Sequence, residues 1–113
     1  MRDFNEGDDI SKMTLEHYPG MTEQHLISFT EKILDENDVE DVLMLHRVGD
    51  IVPGEAIVLV AVWSAHRADA FEVCEKLVEE LKSQAPFWKK EHLTDGQSRW
   101  VEHNTAGPWK NLN

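Results

Sequence analysis

Cysteine is almost absent: the 113-residue chain holds one, Cys74, so no internal disulfide can form. Cys74 falls on the apolar stripe of a predicted helix, where a small core side chain is a simpler reading than a sulfur carrier. Long apolar runs are missing too. The longest charge-free one, Ala56 to Trp63, has eight residues, far below the roughly 20 that cross a bilayer as a helix. No basic-then-apolar leader opens the chain, and with one cysteine the expected location is cytoplasmic. Positive charge is scarce, at 11 Lys and Arg against 22 Asp and Glu for a net −11. A broad basic surface for nucleic acid is thereby excluded, whereas solubility or a basic partner surface fits the imbalance. The six histidines show no ligand-like spacing, so no metal is expected. There is no repeat, low-complexity run or linker, and the length suits one domain, 1–113, near the size where a partner often helps to bury surface.

What is present is organised around residues 56–91. Ala56 to Trp63, rich in valine and isoleucine, predicts a buried strand. A Ser64-Ala65-His66-Arg67 corner follows. From Ala68 to Lys82 the residues Phe71, Cys74, Leu77, Val78 and Leu81 recur at three- and four-residue steps, predicting an amphipathic helix that Ser64 or His66 would cap and Pro86 would end. First-turn amides and the helix dipole make its start a natural anion seat, to which His66 and Arg67 add charge. Its exit, Phe87-Trp88-Lys89-Lys90, joins apolar bulk to cation, and residues 83–90 carry no acid. One reading makes these lysines part of a solvated face and a loop. The sharper one is a basic pocket with apolar walls, in which a lysine loses proton affinity through desolvation and like-charge neighbours.

Elsewhere, Met1 to Ser11 is turn-prone and predicts a loop, and Lys12 to Tyr18 alternates as a half-exposed strand. Thr22 would cap a helix carrying Leu26, Phe29, Ile33 and Leu34, stopped by Asp35 to Asp38. Val39 to Val48 predicts a second apolar strand, leading through Pro53-Gly54 into the buried one as a hairpin. His46-Arg47 at its end reads as a strand terminus and is left out of the site. His92 to Ser98 predicts a loop, Arg99 to Glu102 a short closing strand, and His103 to Asn113 further loop with Pro108-Trp109 as a docking aromatic. The sum is an α+β domain with antiparallel pairing.

Four segments in order, LEHYPGM, HRVGDIVPGE, SAHR and LKSQAPFWKKE, together with RWVE, resemble the large, catalytic subunit of molybdopterin synthase from about Arg2 to Glu102. The resemblance implies an α/β-hammerhead type fold, amino-terminally shortened relative to the family. It implies a homodimer with a small ubiquitin-like sulfur carrier (MoaD-like) at each end, whose Gly-Gly tail carries a thiocarboxylate. The implied reaction moves sulfur from that tail to cyclic pyranopterin monophosphate, forming the dithiolene of molybdopterin with no permanently bound cofactor. By the same resemblance Lys82 and Lys89 are the catalytic residues. His66, Arg67, Lys90, Glu91 and Arg2 are substrate-binding, the His-Arg pair serving either the pocket of its own chain or, across the dimer, that of its neighbour. Two alternatives stand beside it: a shortened, non-catalytic module that docks the carrier or dimerises, and a small phosphate-binding domain using the Ser64–Arg67 corner, which lacks the glycine-rich loop usual for that role.

Overall fold

A ten-residue strand, Asp8–His17 (β2), is the spine of the computed structural model, which describes residues 1–84 and 87–101. Alternation along it buries Met13 and Leu15 on one face and leaves Lys12 and Glu16 wet on the other. The expected opening loop is a hairpin instead. Phe4–Asn5 (β1) pairs with β2 through Glu6 and Gly7, both at positive φ, the conformation whose twist matches the flanking strands. Two more strands take opposite edges of β2: Gly49–Ile51 (β4), with Ile51 facing Met13, and Phe87–Leu93 (β6), with Glu91 facing Met13. Ser98–Trp100 (β7) extends the sheet beyond β6. The exit after the second helix is thus a strand rather than a loop. Pairing to β2 decides this, since local composition does not favour a strand there.

A separate two-stranded sheet joins Asp41–His46 (β3) to Val58–Trp63 (β5) in antiparallel register. The antiparallel pairing matches expectation, but Pro53-Gly54 does not directly link the paired strands, because β4 departs between them to join β2. Inward residues Val42, Met44, Val60 and Val62 pack on Ile33, Val73 and Leu77. The outward set, Leu43, Leu45, Leu59 and Trp63, is exposed. The stretch read as a buried strand is therefore buried on one face only, with the other uncovered in this chain.

Two helices supply the covering layer, Met21–Glu36 (α1) and Arg67–Ser83 (α2). His66, one of the two expected positions, is the N-cap of α2, whereas Gly20 rather than Thr22 is the N-cap of α1; neither helix has a side-chain cap hydrogen bond. Thr22 lies inside the first turn of α1, buried, and its hydroxyl accepts from the Tyr18 amide. Ser64 Oγ accepts from the His66 amide and donates to the Asp38 carbonyl, tying the corner to the loop before β3. The stripe of α2 is Val73, Leu77 and Leu81, in steps of four. Phe71, expected within it, is 71% exposed, because at 3.6 residues per turn it stands about 160° around the axis from Val73. His25 Nε2 meets Glu80 Oε1 at 2.8 Å, linking the helices. No helix among the described residues is long and apolar enough to cross a membrane. The expected stop at Pro86 and the docking of Pro108-Trp109 lie outside the described residues.

Leu77 is fully buried between helix and sheet. Leu77→Ala is expected to cost about 2–5 kcal/mol, and Phe71→Ala within about 0.5 kcal/mol, both read from urea denaturation midpoints of the isolated chain.

Candidate active site: a cationic pocket between α2 and β6

Strand geometry sorts the lysines. Along β6, Phe87, Lys89, Glu91 and Leu93 face one side, and Trp88, Lys90 and His92 the other. Lys89 stands across from Leu15 and Glu91 across from Met13, so both rise from an apolar floor. The last turn of α2 brings Lys82 to the same place, and the segment before β1 brings Arg2. Together they line a cavity of about 450 Å³ that also includes Asn5 and the apolar side chains of Met1, Phe4, Met13, Ile57 and Val101.

Among the described residues, three cations against one carboxylate make this pocket unlike the rest of an acidic molecule. A groove between the helices is somewhat larger, about 530 Å³, but Glu36, Glu72, Glu75, Glu79 and Glu80 outnumber Lys32 and Lys76 on its walls. An anion is repelled there and attracted to the smaller cavity. Burial pushes the Lys89 amine below the usual lysine range, the neighbouring Lys82 cation lowers it further, and Glu91 partly offsets both. Glu91 itself is 7% exposed. Its carboxylate accepts from Asn5 Nδ2 at 2.9 Å and from Arg99 Nε at 3.1 Å.

The structure thus gathers Arg2, Lys82, Lys89 and Glu91 from the residues singled out in the sequence. The other three lie elsewhere. Lys90 is on the far face of the sheet, its Nζ 5.6 Å from the centroid of the Trp100 ring. His66 and Arg67 are exposed at the opposite end of α2, roughly 22 Å along the axis from Lys82. The anion seat and the lysine pocket are two places in one chain.

Sequence reasoning also missed residues. Asn5 and Phe4 were assigned to a loop, and Ile57 was read only as part of a strand. His46 was set aside. Its ring stacks on Phe87 at 4.2 Å and 18°, and its Nδ1–H donates to the Arg47 carbonyl at 2.8 Å. Burial holds its pKa below the usual histidine value, with the Arg47 hydrogen bond opposing and the Lys89 cation adding to the depression. Only the alternation of side-chain direction in a strand separates Lys90 from Lys89 and Glu91, and the composition of β6 does not show it.

An α+β chain with a lysine-bearing cavity on the face of a curled antiparallel sheet is the class these features define. Comparison with known proteins makes it specific: residues 1–84 match the family described as MoaE protein, and the chain belongs to that family. It is 50% identical over 102 residues to the molybdopterin synthase catalytic subunit of Ralstonia nicotianae, an alignment covering 90% of this chain and 57% of that one. It is 44% identical over 115 residues to the subunit of the same name from Vibrio cholerae, covering 97% and 76%. The crystal structure of molybdopterin synthase from Staphylococcus aureus superposes with a TM-score of 0.83 at 31% identity, over 91% of this chain and 74% of that one.

The His46 shift sets a sign for stability. With its folded pKa below its unfolded value, the unfolded chain binds more protons between the two, so stability falls as pH drops from about 6.5 through the folded value. His46→Phe, which keeps a ring on Phe87, is expected to remove this component. Denaturation midpoints measured from pH 7 to pH 5 should therefore fall less in the variant than in the wild type.

Proposed function

We propose that this chain is a catalytic subunit of molybdopterin synthase, a sulfurtransferase acting on cyclic pyranopterin monophosphate with a thiocarboxylated ubiquitin-like carrier. The observation that carries the reading is the meeting of Lys82 and Lys89 in one cationic, apolar-floored cavity of an otherwise acidic protein. Family membership and relatives named as catalytic subunits support it.

The chemistry follows from the residues. The carrier's thiocarboxylate sulfur bonds to a side-chain carbon of the pterin as the bond from that carbon to an oxygen of the cyclic phosphate breaks. The phosphate oxygen departs as an anion still tethered to the substrate, and a thioester joins the pterin to the carrier tail. Water adds to the thioester carbonyl. The Lys82 ammonium stabilises the oxyanion, and Lys89, whose proton affinity burial lowers, accepts the proton of the attacking water. The acyl carbon–sulfur bond then breaks, sulfur stays on the pterin, and the carrier tail leaves as a carboxylate. Arg2 faces the same cavity and pairs with the substrate's anionic groups.

His66 and Arg67 cannot serve this cavity from the far end of the same helix, so they act in the cavity of a second copy of the chain. The exposed face of Leu43, Leu45, Leu59 and Trp63 supports such a homodimer, since large apolar patches mark association. The carrier's tail enters the lysine cavity, giving the heterotetramer, and the reaction runs in the cytoplasm without a permanently bound cofactor.

Lys82→Ala and Lys89→Ala are each expected to lower molybdopterin formation by at least about 10²-fold, measured by fluorescence of the oxidised product with thiocarboxylated carrier and precursor, while carrier binding persists. Activity within twofold of wild type in both variants overturns the assignment. A wild-type chain that binds carrier without turnover supports a docking module instead.

A further inference from the structure

Glu91 is the most deeply buried charged side chain among the described residues. A carboxylate there must be matched or lose its charge. Both oxygens are matched: Asn5 Nδ2 donates to Oε2 and Arg99 Nε to Oε1. Arg99 then turns its remaining nitrogens to the β1–β2 hairpin, at 2.8 Å to Asp8 Oδ2 and 2.8 Å to the Asn5 carbonyl. One rigid guanidinium fork therefore joins β7, β6 and the hairpin whose Phe4 and Asn5 wall the cavity. Arg99 itself does not line that cavity. Lys89 and Glu91 are two residues apart on one face of β6, roughly 6.8 Å along the strand.

We propose that Arg99 is a positioning residue of the lysine pocket, which clamps the Glu91 carboxylate against Asn5 and so keeps its charge committed away from the Lys89 amine. Removal of the guanidinium leaves Glu91 with one neutral donor and a neighbouring lysine on its own face. Among the described residues, the charged and titratable groups around Lys89 include Lys82 from α2, His46 from β3, Arg2 from the segment before β1, and Glu91 from its own strand. On β2, Leu15 stands opposite and His17 one pair beyond, opposite Phe87. Among the described residues in this set, Glu91 is the negative one, and its charge raises the proton affinity of Lys89. How far that charge reaches Lys89 depends on how firmly Arg99 holds it.

The inference rests on Lys89 as the reacting amine, but its test needs no turnover. The full-length chain, labelled in its lysine side chains, is titrated by NMR, with the Lys89 signal assigned from Lys89→Arg. In Arg99→Gln the Lys89 midpoint is expected to rise by about one pH unit. In Arg99→Lys, which keeps a cation beside Glu91, it is expected to stay within a few tenths of wild type. A purely structural role lowers the stability of Arg99→Gln and leaves the Lys89 midpoint where it was, which overturns the proposal. Should Arg99→Gln fail to fold, Glu91→Gln decides. With Glu91 already committed to Arg99, that variant moves the Lys89 midpoint by less than about half a unit, and a fall of a full unit overturns the proposal. Loss of synthase activity in wild type would refute the assigned reaction without touching either titration.

Discussion

Pairing between β2 and β6 is the constraint from which the site follows. Seven registered positions, from Ile10 opposite Leu93 to His17 opposite Phe87, determine which side chains of β6 look inward. A slip of one residue would exchange Lys89 and Glu91 for Trp88, Lys90 and His92. The register is held by burial, because Met13 and Leu15 have somewhere to go on only one face. The same apolar floor that holds the strands in line strips water from the Lys89 amine. Folding energy and chemical reactivity thus share a cause, and the unfavourable placement of two lysines near each other is tolerated because the surrounding sheet over-determines their positions.

The second helix works at both of its ends. Val73 and Leu77 of its stripe anchor it to the β3–β5 ribbon, and this rigid attachment places Lys82 beside the cavity and His66 with Arg67 at a distance. A single chain cannot bend so well-packed an element to bring the two ends together. Under the proposed reaction, His66 and Arg67 would therefore reach a lysine cavity only from a neighbouring copy.

Much of this was legible from residues alone. The period of α2, the apolar strand before it and the α+β class all follow from local pattern, and the clustering of Lys82 with Lys89 was foreseen from a basic window and a family resemblance. The failures have physical causes. Phe87–Leu93 lacks a clean alternation of apolar and polar residues because its inward positions carry Lys89 and Glu91, charged side chains that line the cavity, so the strand that builds the pocket is the one whose pattern the pocket disrupts. Lys90 was grouped with Lys89 for the same reason. The Phe4–Asp9 hairpin was hidden by its length, since two-residue strands have no period to read. Phe71 was counted into a stripe it misses because a three-residue step drifts around the axis. Nothing local distinguishes Arg99 from an ordinary surface arginine: Glu91 is eight residues back on β6, and Asn5, Glu6 and Asp8 lie on the hairpin at the other end of the chain.

The open side of the β3–β5 ribbon has one more consequence. Leu43, Leu45, Leu59 and Trp63 present hydrocarbon to water in the lone chain, and whatever comes to shield them binds the folded form but not the unfolded one. Where a second copy does the shielding, as in the proposed homodimer, the melting temperature becomes by mass action a function of how much protein is in the tube. Resistance to heat is in that sense a property of a population of these molecules rather than of any one of them.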